Sequence, residues 1–323
     1  MAIRVVATND SLIWPGDIRQ SADNWVPVYE KVIGSNQGVH QIFIQEFIDP
    51  LDPAMAVDVG ETLVSQTTGV CYDPTCMWMP NKDFGIVYTR GQVAYWVKRL
   101  RRGTYQAPVV LMSASAIDRI GEVQGFGLVQ GKTFITYNKW QSPFTVDDPK
   151  DACIREVIGS DPIALGPEVV IAPFAVTAGR DGAQDRIALL NGGIDGVLLA
   201  AWNGNPNGEN NRRLMIARST DLGKTWGPVE SITVPGDCVD PTGTYVSKKD
   251  IRFYFAQGYY QFPLGMVKSA DNGTTWVRSD VTQNPARTGN VHCEVRKSGN
   301  KIFCFNTANH QMELWVYELE EVQ

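Results

Sequence analysis

The sequence is short of histidine, of long apolar runs and of long runs of like charge. Only three of its 323 residues are histidine, which argues against a His-rich metal site. No apolar stretch reaches about 18 residues, so we expect no membrane-spanning helix. The densest basic run, Lys98-Arg99-Leu100-Arg101-Arg102, is short, and the net charge is −6. Both features argue against a nucleic-acid partner and favour a solvated strand end for this run.

The chain also lacks the usual signatures of cofactor sites and of secretion. Its six cysteines, at positions 71, 76, 153, 238, 293 and 304, do not have zinc-type spacing, so we expect buried free thiols. A Gly-rich phosphate loop and an activated-serine motif are missing from the sequence, and no cofactor or metal is predicted. The N-terminus lacks a basic-then-apolar secretory profile, and the initiating Met favours production in a cytoplasm.

What the sequence has in quantity are turn residues and aromatics. Glycine and proline make 48 residues, and tryptophan, tyrosine and phenylalanine make 32. This composition favours β structure, and no helix-period pattern is long enough to build a second domain. We therefore predict one closed all-β domain over residues 1–323, since closure leaves no exposed sheet edge.

Two near copies of one eight-residue stretch lie 50 residues apart, at Ser219–Trp226 and Ser269–Trp276. In each copy, serine and aspartate side chains can bond back to turn amides, and the glycine permits positive φ. The tryptophan that follows can cover apolar surface. A shared pattern at a fixed offset indicates repeat architecture.

Hairpin patterns recur in phase with this motif, beginning near residues 73, 123, 185, 240 and 290. A period of about 50 to 60 residues is typical of four-stranded antiparallel blades of a β-propeller. Six blades are favoured, with five and seven left open. Residues 1–72 hold one more blade, or closing strands plus an insertion, and Ser21–Trp25 reads as a shortened copy of the repeated motif.

The repeated Ser-x-Asp-x-Gly-x-Thr-Trp pattern resembles the Asp-box, or bacterial neuraminidase repeat, of sialidase-like propellers. The resemblance implies a structural turn between the third and fourth strands of a blade, on the face away from the ligand site. It assigns a structural role to Ser219, Asp221, Gly223, Trp226, Ser269, Asp271, Gly273 and Trp276.

The catalytic residues of sialidases are matched poorly. The family's N-terminal Arg-Ile-Pro arginine corresponds only to Arg4-Val5-Val6, and its two further arginines have the candidates Arg180, Arg252, Arg287 and Arg296, none in a recognisable motif. The family's Asp acid/base and Tyr–Glu nucleophile pair have no motif here. A weaker resemblance, to furanosidase-type glycosidases with a catalytic Asp-Pro, rests on Asp73-Pro74 and Asp240-Pro241.

The resemblance implies that the face opposite the repeated turns carries any ligand site, and strand alternation predicts which loops and strand starts lie on that face. Amide and aromatic side chains in its loops are typical of sugar recognition. The predicted ligand-binding residues are Arg90, Trp202, Asn203, Asn205, Tyr259, Tyr260, His292 and His310. Simpler interpretations stay open: run 203–211 as a solvated loop, Asp73 and Asp240 as turn formers, and the histidines as ordinary hydrogen-bonding groups.

Two functional hypotheses follow. The first is a non-catalytic recognition or structural propeller for a glycan or protein partner, as a component of a larger assembly such as a virus or phage particle. The second is an exo-acting glycoside hydrolase with Asp73, Asp240 and Glu294 as its carboxylates, for which Glu209 is a substitute.

Overall fold

The structure is a computed structural model. It describes residues 2–8, 13–21, 24–33, 39–48, 61–65, 69–115, 118–141, 150–173, 186–205, 211–234, 236–257, 264–280, 294–298, 301–308 and 311–318. Every regular element within these ranges is a β-strand, and the strands form small antiparallel sheets. The predicted fold class, an all-β propeller of four-stranded antiparallel blades, is confirmed.

Within the described ranges the strands form six sheets, numbered here in chain order. The first contains β2 (Ile13–Gln20), β3 (Trp25–Val32), β4 (His40–Ile44) and β5 (Thr62–Leu63). The second contains β6 (Cys71–Trp78), β7 (Phe84–Arg90), β8 (Val93–Arg101), β9 (Thr104–Tyr105) and β10 (Val109–Ser113). The third contains β11 (Asp118–Val129), β12 (Lys132–Gln141), β13 (Asp151–Ser160), β14 (Ile163–Leu165) and β15 (Val169–Ala172).

The remaining three sheets follow the same order. The fourth contains β16 (Ala188–Asn191), β17 (Leu198–Gly204), β18 (Arg213–Ser219) and β19 (Glu230–Ile232). The fifth contains β20 (Cys238–Ser247), β21 (Asp250–Gln257), β22 (Leu264–Ser269) and β23 (Val277–Asp280). The sixth contains β24 (Glu294–Ser298), β25 (Lys301–Ala308), β26 (Gln311–Glu318) and β1 (Ala2–Thr8).

The first strands of successive sheets contact one another and form a closed ring. β2 contacts β6, and the contacts continue through β11, β16, β20 and β24 back to β2. The N-terminal strand β1 pairs with β26, so the sixth sheet combines both ends of the chain. Residues 1–72 therefore supply a sheet and a closing strand together, where the sequence offered these as alternatives.

Apolar side chains fill the spaces between adjacent sheets. Val28, Ile42, Ile86 and Val97 form the cluster between the first and second sheets. Similar clusters lie between the second and third, the third and fourth, and the fourth and fifth sheets. Both faces of each such sheet are covered, which explains why the second strands carry nearly continuous apolar sequence rather than strict alternation.

The two repeated stretches form the same turn. Ser219 Oγ accepts from Gly223 N at 2.8 Å, and Asp221 accepts from both the amide and the hydroxyl of Thr225 at 2.9 and 2.6 Å. Ser269, Asp271 and Thr275 repeat these bonds at 2.8, 2.8 and 2.6 Å. Each turn joins the third and fourth strands of its sheet, as the resemblance implied.

These turns share a face with the first-to-second strand turns. Leu222 N donates to Gly196 O at 2.8 Å, and Arg218 Nε donates to Asn272 O at 3.1 Å in the next sheet. We call this the turn face. The starts of the first strands lie at the other end of each hairpin, on what we call the bowl face.

The predicted shortened copy at 21–25 is wrong as a third-to-fourth strand turn. It lies between β2 and β3, the first two strands of the first sheet. Ser21 and Asn24 close this turn through Asn24 N and Ser21 Oγ at 3.1 Å. The local pattern was a true turn signal, but the register that places it in the sheet is set by pairing elsewhere in the chain.

Two smaller predictions are confirmed in part for the described residues, since Arg99 of the basic run is 8% exposed rather than solvated. Cys71, Cys76, Cys153 and Cys238 are buried and free, whereas Cys293 lies outside the described residues. The basic run 98–102 covers the end of β8 and the turn after it, where Lys98 pairs with Asp83 and Arg99 with Glu46. Among the described residues, no helix is long and apolar enough to cross a membrane.

Candidate functional site at the bowl face

The first strands carry a bulge at equivalent positions close to the bowl face. Register shifts fall between Tyr72 and Thr75, between Gly121 and Gln124, and between Val239 and Thr242. In each case one extra residue is inserted on the first strand. The first residue of each bulge is acidic, namely Asp73, Glu122 and Asp240.

A basic residue occupies the matching position of the fourth sheet. Ser219 and Ser269 occupy the same position on the third strands of the fourth and fifth sheets. When the strand pairing is followed from each serine to the first strand of its sheet, Ala188 and Thr242 fall at equivalent positions. Arg186, two residues before Ala188, therefore corresponds to Asp240. We call Asp73, Glu122, Arg186 and Asp240 the bulge ring.

All three acidic members of the bulge ring have left-handed backbone conformations. Their φ angles are 55° at Asp73, 53° at Glu122 and 45° at Asp240. A non-glycine residue in this region costs of the order of 1–3 kcal/mol and persists only where the surrounding structure enforces it. Strain repeated at three equivalent acidic positions around one axis is a feature of functional sites.

Arg186 reaches across the ring of sheets. Its side chain is 7% exposed, and Nη1 donates to the Gly16 carbonyl oxygen at 2.8 Å. Gly16 is the bulge residue of β2, in the first sheet, three places away from the fourth sheet in the closed ring. The guanidinium therefore lies near the axis, at the depth of the bulges.

Glu30 adjoins the bulge ring from the second strand of the first sheet. Its carboxylate accepts from the backbone N–H of Asp73, and its Oε1 lies 2.5 Å from His40 Nδ1. Burial raises the pKa of the Glu30 carboxyl, while His40 and Arg186 oppose the rise. A carboxyl with a raised pKa thus lies beside acidic neighbours, the usual basis for separating acid and base roles.

Glu122 is held by contacts within its own sheet. Asn138 Nδ2 donates to Glu122 Oε2, and Lys150 Nζ lies 3.6 Å from Oε1. Asn138 is completely buried, so its amide fixes the carboxylate from the second strand. The amide and the lysine together fix the position of the Glu122 carboxylate.

Two Tyr–Glu–Lys groups repeat near the ends of second strands. Tyr29 donates to Glu61 at 2.7 Å, and Lys31 pairs with the same carboxylate. Tyr137 donates to Glu168 at 2.5 Å, and Lys139 pairs with that carboxylate at 2.6 Å. The sequence predicted none of these contacts, because each glutamate comes from a segment about 30 residues along the chain.

In both groups the tyrosine hydroxyl donates to the glutamate carboxylate. Burial, followed by the carboxylate, raises the pKa of both Tyr29 and Tyr137. The register places Lys31, Arg90 and Lys139 at equivalent ends of their strands, and carboxylates pair with Lys31 and Lys139.

The structure corrects the predicted ligand roles of Trp202, Asn203 and Asn205. Trp202 is 0% exposed and packs in the cluster between the third and fourth sheets. Asn203 is also fully buried, and its Nδ2 donates to Cys238 O at 3.2 Å. Asn205 is 4% exposed. All three side chains are withdrawn from solvent, because the strand β17 that carries the first two is covered on both faces.

Asp73, Asp240 and Arg90 do lie at the bowl face, although their functional roles remain predictions. Asp73 is half-buried and Asp240 is 6% exposed. Arg90 ends β7 and packs against Gly69, where an added Cβ would lie 2.9 Å from Nε. Tyr259, Tyr260, His292, His310 and Glu209 lie outside the described residues, and Glu294 is described only as the start of the strand β24.

Of the arginines proposed from the sialidase resemblance, Arg252 alone has a side chain among the described ones. Arg4 lies on β1, the outermost strand of the sixth sheet. Arg252 is bound to Asp250 at 2.6 Å, at the turn face. Arg296 lies on β24, and Arg180 and Arg287 lie outside the described residues. The sequence missed Arg186, Glu122 and Glu30, since only strand register brings them together.

Among the described residues, no cluster of His, Cys, Asp and Glu has the geometry to hold a metal ion. The polar groups at the bowl face are carboxylates, guanidinium and imidazole groups. Such a set can bind hydroxyl-rich ligands and transfer protons.

No protein-family model matches the chain, and comparison with curated proteins gives no match. Several solved structures are similar in fold. A protein of unknown function from Dyadobacter fermentans has a TM-score of 0.71 at 8% identity, covering 99% of this chain and 98% of its own. The α-L-arabinofuranosidase from Fusarium graminearum, in complex with an iminosugar inhibitor, has a TM-score of 0.63 at 12% identity, covering 98% and 96%.

The sialidase from Trypanosoma rangeli, in complex with the inhibitor DANA, has a TM-score of 0.57 at 14% identity. It matches 95% of this chain and 55% of its own, so the chain spans about half of that sialidase. At these identities the similarity concerns architecture alone. The chain has the β-propeller fold found in these sialidase and arabinofuranosidase structures.

Proposed function

We propose that the protein is a glycoside hydrolase whose sugar substrate lies at the bowl face, over the bulge ring. The observation that carries the proposal is the strained convergence of Asp73, Glu122 and Asp240 around the axis, with Arg186 at the fourth equivalent position. Sialidase and arabinofuranosidase propellers support it as similar folds.

Glycoside hydrolysis needs one protonated and one ionised carboxyl group on either side of the scissile bond. Glu30 is our candidate for the acid, because burial raises its pKa and its carboxyl adjoins Asp73. Asp240 is our candidate for the ionised partner, because the fifth sheet lies across the ring from the second sheet, which Glu30 contacts. Asp73 and Glu122 then bind sugar hydroxyls, and Arg186 stabilises the ionised carboxylates.

The proposal is tested by measuring glycoside cleavage. Purified protein is incubated with 4-nitrophenyl glycosides, including the α-L-arabinofuranoside, with a fluorogenic sialoside, and with oligosaccharides followed by reducing-end release. We expect activity on at least one of these substrates. D240N and E30Q should each lower kcat by about 10²- to 10⁴-fold, the usual contribution of a positioned acid or base. E156Q, at a half-exposed pair with Lys132, is the matched control and should leave kcat unchanged.

The alternative is the non-catalytic recognition module, for a glycan or for a protein of a larger assembly such as a virus particle. The placement of Arg4 on an outermost strand favours it, because the arginine set of the sialidases is then incomplete. If the protein binds glycans on an array, D73N abolishes that binding, and no substrate is cleaved, the recognition module replaces the hydrolase hypothesis. Absence of both cleavage and glycan binding would reject both carbohydrate functions.

A further inference from the structure

A cavity of about 320 Å³ lies on the axis, below the bulge ring. Its wall comes from β2, β6, β11, β16 and β20 and from residues adjoining them, so it is enclosed by the first strands of five sheets. Thr75, Gln124 and Thr242, the first paired residues after the bulges, mark its inner end. Gln130 and Tyr245 lie at its other end, near the turn face. The bowl and this cavity therefore lie on one axis but towards opposite faces.

The charged groups of the cavity wall are cationic. Arg19 and Arg186 line it, and none of its described lining residues is acidic. Arg19 is oriented by a 2.8 Å bond from Nε to Asp17 Oδ2 and a 3.1 Å bond from Nη2 to Gly125 O. Asp17 is fully buried behind this arginine and also accepts from Cys76 N. Asp17, the carboxylate that binds Arg19, thus lies within the wall, while the Arg19 guanidinium borders the cavity.

A buried donor without a partner among the described residues lies in the wall of the same cavity. Gln124 is 2% exposed, and its Nε2 has no hydrogen-bond partner among the described residues. A buried amide donor left unsatisfied costs about 1–3 kcal/mol, so such a group is expected to have a partner in the functional state. Thr75 adds a second donor, because its Oγ1 already accepts from Gly125 N at 2.8 Å and its hydroxyl hydrogen remains to donate.

We propose that this cavity binds a small oxyanion, either a carboxylate or an inorganic phosphate or sulfate. Gln124 Nε2, the Thr75 hydroxyl and the two guanidinium groups supply donors, which an oxyanion matches with acceptors alone. Phe126 and Leu189 line the same cavity and accommodate an apolar substituent on a carboxylate. The site is distinct from the proposed sugar site, because Arg19, Thr75 and Gln124 lie on the turn-face side of the bulges, whereas Arg186 lies between the two sites.

Calorimetric titration of the full-length protein with acetate, benzoate, phosphate and sulfate tests the proposal and distinguishes carboxylates from inorganic anions. We expect saturable binding of at least one of these anions. Q124M removes the amide donor at similar volume and should weaken binding about 10- to 100-fold, as expected for a lost bond to a charged group. Q124E places a carboxylate in the cavity and should abolish binding. D240N should retain binding, because Asp240 belongs to the bowl.

Thermal unfolding establishes that each variant is folded before its binding is interpreted. Where Q124E does not fold, Q124M carries the test. The proposal is overturned if folded wild-type protein binds none of the four anions. It is also overturned if Q124M binds an anion as tightly as wild type does. Binding of a neutral methyl glycoside in place of all four anions would also overturn it.

Discussion

The Nη1 atom of Arg186 lies 2.8 Å from the carbonyl oxygen of Gly16, on the sheet opposite it in the ring. Most polar contacts in the described chain join strands of one sheet or of adjacent sheets. This bond instead spans the axis, at the depth where the first strands bulge. Arg186 lines the cavity below and has an electrostatic effect on Glu30 above. Arg186 thus lies between the bowl and the axial cavity.

Replacing Arg186 with methionine should lower the free energy of unfolding by about 1.5–3 kcal/mol, because a buried charge-assisted hydrogen bond is lost. Equilibrium denaturation of R186M measures this. R155M is the matched control, since Arg155 Nε also donates to a backbone carbonyl, Gly166 O at 2.8 Å, but away from the axis. An equal loss in both variants would show that the position across the axis has no special importance.

Glu46 should be a second site of large destabilisation. Its carboxylate is 1% exposed to solvent and accepts from Arg99, Gly103 N, the Tyr105 hydroxyl and Asn24. E46A leaves the Arg99 guanidinium, 8% exposed, without this partner, and removal of one member of a buried ion pair costs about 3–5 kcal/mol.

Chemical denaturation of E46A measures this loss. E156A is the control, since Glu156 and Lys132 are each about one-third exposed and such pairs contribute about 0–1 kcal/mol. A loss for E46A no larger than that for E156A would contradict the role of Glu46 as the link between the first and second sheets.

The repeated turns illustrate what the sequence could predict. Their side chains bond within seven residues, so the pattern Ser-x-Asp-x-Gly-x-Thr determines the geometry locally, and both copies have the same bonds. Spacing between copies then predicted the four-stranded unit. Glu46 performs a comparable linking role in the first sheet through residues 22 to 59 positions away, and no local pattern signals it.

The candidate site was less predictable for the same reason. Asp73 and Asp240 were found because each precedes proline at the start of a hairpin. Glu122 occupies the same bulge without proline, and Arg186 has the opposite charge at the matching position of the fourth sheet. Trp202 and Asn203 were misassigned because the sequence does not reveal that β17 is covered on both faces. Register, rather than residue type, defines the bulge ring.

Gly127 should not tolerate a side chain, because the second and third sheets approach closely there. A Cβ at this position would lie 2.3 Å from Trp78 N and 2.5 Å from Trp78 O, both backbone atoms. G127A should therefore cost about 1–3 kcal/mol through overpacking, measured by denaturant unfolding.

Gly166 provides the comparison. An added Cβ there meets nothing closer than Glu156 O at 3.4 Å. G166A should change the free energy of unfolding by no more than about 1 kcal/mol, in either direction. If the two variants unfold at the same denaturant concentration, the close approach at Gly127 does not limit stability.

The repeated turns should make stability depend on pH in acid. Bonds from the Thr225 hydroxyl and amide lower the pKa of Asp221 to about 2, and those from Thr275 do the same for Asp271. The unfolded value is about 3.9, so this stability is present above about pH 4 and is lost as the pH falls towards 2.

A D221N/D271N double variant should show a shallower fall in unfolding free energy between pH 4 and pH 2 than wild type. The difference should be modest, because both residues are partly exposed and solvent screens their interactions. D195N, in an exposed neighbouring turn, is the control and should run parallel to wild type. Parallel curves for the double variant would show that the turn bonds do not stabilise the fold in acid.

The last prediction concerns Glu30, whose pKa is raised by burial. Stability from its protonated form is fully present below the unfolded pKa of about 4.3 and is lost as the pH rises through the folded value. If Glu30 is the acid of a hydrolase, kcat should fall through the same range as the pH increases. E30Q should abolish this pH dependence of the unfolding free energy. D73N should shift the pH at which kcat falls without abolishing the fall. If kcat of E30Q still falls over the same pH range, the acid is another group.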